Sequence, residues 1–285
     1  MRRNYNKADI KQEAKSGPER AAQALTRAGV FTDRYLITEG EFAGRMEKRL
    51  HGVVSEREAD EHIRAMQWYV ETLQKMGVTV ADTVFRKTPA GRGWSVTLFQ
   101  EKFEEDELVT AIIREGVKRE CLETFERTLR EGVKAIDYKR EHDVPGKDEV
   151  GFHSSLRNWA MRGGEMIFLD LTPPLRRVNG RTYPPSFLKH IPARFKFIPS
   201  LRMRDLFFRP ASRDSFAMPV MLAGCLASAV SRRRELERRF REKTIEVIED
   251  CIPASERPAY LEKIAGKRLS LHRKINRLVR GFFRS

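Results

Sequence analysis

No two of the chain's three cysteines, Cys121, Cys225 and Cys251, stand two residues apart, and no His/Cys cluster accompanies them. That spacing excludes the common zinc ribbons and fingers. With so few cysteines a disulfide framework is also disfavoured, which points to a reducing, cytoplasmic setting. Long apolar runs are missing too. The longest, Phe216 to Val230, contains Pro219 and falls short of the roughly 20 residues that span a bilayer. It reads as a buried helix. The first residues, MRRNYNKADIKQEAKSG, hold no apolar stretch of the kind a secretory signal requires. A GxGxxG phosphate loop is absent, and only Gly40 and Gly44 (GEFAG) are placed to cover a phosphate.

Hydrophobic residues make up 40% of the 285, with 17 Phe, which is enough for a sizeable core. The net charge of +15 is unevenly spread. Leu175 to Arg213 holds ten Lys/Arg and one acid, and Ser231 to Ser285 holds 16 Lys/Arg and eight acids, while the first 174 residues are close to neutral. A basic second half beside a neutral first half points to an anionic partner.

Along the chain, residues 1–30 read as a polar leader with one helix near Glu19–Arg27. Arg34–Thr38 and Phe42–Leu50 read as strands joined by a turn at Glu39–Glu41. Ser55 with Glu58 has the pattern of a capping box, and Ile63, Met66, Val70, Leu73 and Met76 follow at helical period until Gly77. Val78–Phe85 and Trp94–Phe99, joined by PAGRG, give a hairpin. Helices are expected at Glu104–Gly116 and Lys118–Ala135. A short strand, Met166–Leu169, ends at Asp170 after the Gly163–Gly164 turn. Three further helices are expected near 219–230, 231–250 and 254–282. Strands first and helices afterwards is an α+β signature.

Phosphoryl transfer needs a lysine on the nucleotide phosphates, oxygen ligands for metal, and a residue that orients the nucleophile. Asn158 lies five residues after His153, and Asp170 lies twelve after Asn158. A loop, a glycine turn and a returning strand would bring an amide oxygen and a carboxylate to one Mg²⁺ site. The segment GFHSSLRNWAMRGGEMIFLDLTPPLRR resembles the catalytic loop and metal-binding strand of the aminoglycoside-phosphotransferase and protein-kinase-like superfamily. It is closest to a bacterial branch of uncharacterised kinase-like proteins whose pattern is roughly Asp-x-x-x-x-Asn-Trp, then Asp-x-x-x-Pro-Leu.

The resemblance covers about residues 31–250 and implies a two-lobed fold. Residues 31–103 would be a small antiparallel-sheet lobe that binds nucleotide, and 104–250 a helical lobe with the catalytic-type loop. Lys48 resembles the phosphate-binding lysine on the third strand. Glu58, or Glu61 on the same face, resembles the glutamate that pairs with it, and Gln100–Phe103 resembles the adenine-binding hinge. Gly40 would lie near the phosphates. Asn158 and Asp170 would hold Mg²⁺, with His153 beside the acceptor hydroxyl. Arg176 and Arg177 would face an anionic acceptor. The implied cofactors are ATP and Mg²⁺, and the acceptor is a hydroxyl of a small molecule or peptide.

The chain departs from that pattern at one decisive place: His153 stands where the family has the catalytic Asp. Histidine can act as a general base near neutral pH. It can also mark a kinase-like scaffold without turnover. A third reading, nucleic-acid binding, rests on the pI of about 10.0 and the basic C-terminal tail and lacks any recognised motif. In residues 251–285, Leu271, Ile275, Leu278 and Phe282 share one face of a basic amphipathic helix with Arg273, Lys274, Arg277 and Arg280 elsewhere. Such a helix suits docking on the domain, on an anionic membrane surface or on nucleic acid.

Overall fold

The computed structural model describes residues 22–24, 32–143, 148–153, 155–172, 174–184, 186–187 and 217–265. The fold is α+β, with small antiparallel sheets and helices. The chain divides into two compact units. Unit 1 takes the described residues up to Ala59 and Asp82–Lys102, and unit 2 takes Asp60–Ala81 and the described residues from Phe103 on. Residues 60–81, read from the sequence as part of a 31–103 lobe, therefore group with unit 2.

Unit 1 is built on one five-stranded antiparallel sheet. Its strands are β1 (Ala22–Ala24), β2 (Thr32–Ile37), β3 (Arg45–Leu50), β4 (Thr83–Ala90) and β5 (Gly93–Glu101), in the order β1-β2-β3-β5-β4. The expected helix near Glu19–Arg27 is replaced at Ala22–Ala24 by an edge strand. Pairing with Tyr35–Ile37 overrides the helix preference of alanine there. β5 lies between β3 and β4, so both of its edges are paired, and Val96, Leu98 and Phe99 along it are buried. Phe42 folds from the β2–β3 turn onto Phe99, ring on ring at 4.0 Å, and Ile37 and Val84 complete that cluster. Val54 forms a two-way backbone bridge with Trp94. A Cβ on Gly93 would stand 2.5 Å from Val53 Cγ1 and 2.7 Å from the Val54 carbonyl oxygen, so only glycine fits.

Helix α1 (Glu56–Lys75) opens with the expected capping box. The Ser55 amide donates to Glu58 Oε2 at 3.1 Å, and the Glu58 amide donates to Ser55 Oγ at 3.3 Å. The inward stripe differs from the expected one. The buried line runs through Ala59, His62, Met66, Tyr69, Leu73 and Met76, while Ile63 and Val70 are half-buried. The rotation is possible because the two polar members find partners inside. His62 Nε2 meets Ser186 Oγ at 2.9 Å, and Tyr69 Oη meets the Gly151 carbonyl at 3.1 Å.

In unit 2, helices α2 (Val109–Glu115), α3 (Lys118–His142), α4 (Met218–Val230), α5 (Glu237–Cys251) and α6 (Arg257–Ala265) pack around an apolar core. Phe125 of α3 meets Phe240 of α5 with ring centroids 4.7 Å apart. α4 is the buried apolar helix expected between Phe216 and Val230. α3 runs well past Ala135, because Ile136 and Lys139 continue its inward face. Residues 79–81, within the stretch expected to open the hairpin, instead bind β8 (Glu165–Phe168): the Phe168 amide donates to the Thr79 carbonyl at 2.8 Å, and the Ala81 amide to the Phe168 carbonyl at 3.0 Å. No helix among the described residues is long and apolar enough to cross a membrane. The basic segment 188–213, the polar leader except Ala22–Ala24, and the C-terminal amphipathic stretch from Gly266, with Leu271, Ile275, Leu278 and Phe282, lie outside the described residues.

Candidate functional site

Two strand ladders in unit 2 set the geometry of the loop read as catalytic. β6 (Asp148–Val150) pairs antiparallel with β9 (Arg176–Val178), which also pairs with β10 (Arg181–Thr182). β7 (Trp159–Arg162) pairs antiparallel with β8. The chain passes from β6 to β7 through residues 151–158 and returns from β8 to β9 through residues 169–175. Each connection therefore starts and ends on the same two ladders, and the two loops must run side by side. Backbone bonds join them at both ends. The Leu169 amide donates to the Asn158 carbonyl at 2.8 Å, and the Gly151 amide donates to the Leu175 carbonyl at 2.7 Å. Gly163 and Gly164 make the β7–β8 turn with φ of +59° and +84°, a conformation that side chains with a Cβ resist.

This pairing brings His153, Asn158 and Asp170 together. His153 Nδ1 lies 3.7 Å from Asp170 Oδ2, and both side chains are partly open to solvent. Asn158 is buried, and its Nδ2 donates to the His153 carbonyl at 2.9 Å. That bond spans the five-residue separation noted in the sequence and turns Oδ1, the ligand-type oxygen, the other way. Beneath the loop, Phe152, Trp159 and Phe168 form an aromatic floor with centroid separations of 4.9–5.8 Å. A carboxylate and an amide oxygen are the hard donors Mg²⁺ prefers, with water and phosphate oxygens filling the remaining positions.

Tyr69 was not singled out from the sequence. It is fully buried, and its hydroxyl holds the Gly151 carbonyl. Burial pushes that hydroxyl well above the ordinary tyrosine range, and the negative charge of Asp170 pushes it further. The signal available was its spacing: Tyr69 follows Met66 by three and precedes Leu73 by four, and an inward tyrosine needs a partner for its hydroxyl.

The arginines proposed for an acceptor behave differently. Arg176 is stacked on aromatic faces, 4.2 Å above Trp68 and 5.2 Å from Tyr183. Cation–π packing of this kind fixes its guanidinium. Arg177 stands directly across the ladder from Glu149, an opposite-charge position.

In unit 1, Lys48 occupies β3 and donates to Gln100 Oε1, and Gln100 Nε2 donates in turn to Thr83 Oγ1 at 3.1 Å. Lys48, Gln100 and Thr83 share one face of three neighbouring strands, so the buried Gln100 bridges the lysine to β4. Glu58 takes part in the Ser55 capping box, and Glu61 lies one turn further along α1. Gly40 begins a turn that satisfies itself. The Ala43 amide donates to the Gly40 carbonyl at 3.0 Å, the Gly44 amide to Ile37 at 2.8 Å, and the Arg45 amide to Phe42 at 3.0 Å. Those three amides are spent inside the turn, which limits it as a phosphate cradle.

Residues 9–181 match a family of unknown function, DUF6206. That is more than half of the chain. The chain belongs to this family. The matched region contains Gly40, Lys48, Glu58, His153, Asn158, Asp170, Arg176 and Arg177. No curated protein matches the chain.

Proposed function

We propose that the chain is an ATP- and Mg²⁺-dependent phosphotransferase of two-lobed, protein-kinase-like architecture. Its acceptor is a hydroxyl of a small molecule or peptide. The observation that carries this reading is the loop pair of unit 2. It sets Asn158 and Asp170 on adjoining strands of chain, with His153 3.7 Å from the Asp170 carboxylate. Support also comes from the chain order, in which a lysine on the third strand precedes a single helix with a glutamate in its first turn.

On this reading Lys48 binds nucleotide phosphates. Asn158 Oδ1 and the Asp170 carboxylate would hold Mg²⁺, which neutralises phosphate charge. The acceptor oxygen bonds to the γ-phosphorus as the bond to the β–γ bridging oxygen breaks, and ADP departs. His153 takes the proton released by the acceptor hydroxyl. The experiment is ATP turnover by the purified protein with Mg²⁺ and Asp170→Ala beside it. Turnover in wild type that disappears in the variant is the expected result.

A second reading, a kinase-like scaffold without catalysis, is favoured by His153 standing at the catalytic-Asp position. Mg²⁺-dependent ATP binding with no turnover would select it, and Asp170-dependent turnover would remove it.

A further inference from the structure

Val150 and Gly151 open the loop that carries His153 and Asn158, and all four of their backbone polar groups are held from outside the loop. The Lys139 ammonium donates to the Val150 carbonyl. The Val150 amide donates to Asp143 Oδ1 at 3.2 Å. The Gly151 amide reaches Leu175 at 2.7 Å, and the Gly151 carbonyl accepts from Tyr69 at 3.1 Å. Lys139 and Asp143 are themselves an i,i+4 ion pair, with side chains only 3% and 15% exposed.

A pair this buried is a poor stabiliser, because desolvation consumes most of the attraction. Apolar residues of similar volume would serve a helix core as well, and Phe125, Leu129, Val133 and Ile136 do so on the same face of α3. What apolar residues cannot do is bind both polar groups of Val150. β6 is three residues long and, among the described residues, pairs only with the three of β9. So short a ladder fixes the loop entrance weakly without the side chains.

We propose that Lys139, with Asp143 and Tyr69, is a positioning residue that clamps the loop entrance and so sets His153 and Asn158 against Asp170. What the loop does rests on the phosphotransferase reading, whereas the clamp itself does not.

The test is the full chain carrying Lys139→Met together with Asp143→Leu, which replaces the ion pair by apolar volume. The expected variant folds with a melting temperature below that of wild type, because the buried Val150 amide and carbonyl lose their partners, and its 151–158 amides exchange hydrogen faster. Its kcat falls on the order of 10²-fold, since small misplacements of reacting groups are costly. KM for ATP stays within about twofold, as fits a loss confined to the reacting geometry. Wild-type exchange and wild-type kcat together overturn the proposal. If wild type shows no turnover, exchange alone decides the clamp, and only the phosphotransferase reading fails. Should the double variant not fold, Tyr69→Phe takes its place. Faster exchange at Gly151 and Phe152 supports the clamp, and unchanged exchange overturns it.

Discussion

Two glycine-containing segments, one in each unit, satisfy their backbones in opposite ways. The turn from Gly40 to Gly44 spends its amides on carbonyls no more than seven residues away. The loop from Gly151 to Asn158 has one internal side-chain bond and is otherwise tied to other elements: Tyr69 on α1 and Leu175 and Leu169 on the returning loop, with Lys139 and Asp143 at the end of α3 holding Val150 at its entrance. A turn that closes on itself needs little from its surroundings and offers few donors to a ligand. A loop pinned from outside can be held in a geometry it would not adopt alone, which is what chemistry at fixed distances requires. The contrast favours the 151–170 region over the Gly40 turn as the place where the proposed reaction would be organised.

The largest way to break that contrast is to remove the floor under the loop. Phe168 is fully buried against Phe152 and Trp159. Phe168→Ala is expected to cost about 3–5 kcal/mol in chemical denaturation. A loss under about 1 kcal/mol would mean the aromatic floor bears little of the fold.

A smaller effect comes from the loop's own bond. Asn158→Ala leaves the His153 carbonyl without its Nδ2 donor, and a loss of about 1–3 kcal/mol is expected from the same measurement. The comparison is sharpened by a local bond in unit 1. Ser55→Ala removes the cap of α1 and is expected to cost about 1 kcal/mol. A larger loss for Ser55→Ala than for Asn158→Ala would reverse the ranking of the two regions.

The smallest effect is one of pH. Tyr260 is buried on α6 with no partner for its hydroxyl among the described residues. Burial pushes that hydroxyl up to about 12, with the Glu256 charge adding to it. The native state therefore holds this proton where the unfolded chain has released it. The contribution is fully present below pH 10, the ordinary value, and is lost as pH rises through about 12. Tyr260→Phe should flatten the fall in stability over that alkaline window, and an unchanged slope would assign the fall to other groups.

Features set by neighbours in sequence were legible beforehand. The capping box at Ser55, the β4–β5 hairpin, the apolar helix before Val230 and the spacing of His153, Asn158 and Asp170 all depend on local pattern. Features set by remote partners were not. His62 and Tyr69 turn inward only because Ser186 and Gly151 wait for them, and nothing near α1 in the sequence announces either partner. Lys139 looks like a solvated helix lysine until the Val150 carbonyl is brought beside it. The strand at Ala22–Ala24 exists because β2 offers an edge, and residues 79–81 leave the expected hairpin because Phe168 offers another.

The central claim is that the paired loops form a Mg²⁺ and nucleotide site through Asp170. Calorimetric titration of ATP into the full chain, with and without Mg²⁺, tests it most directly. The account predicts binding to wild type only when Mg²⁺ is present, and its loss in Asp170→Ala. Absence of Mg²⁺-dependent ATP binding to wild type, or equal binding by Asp170→Ala, would contradict it.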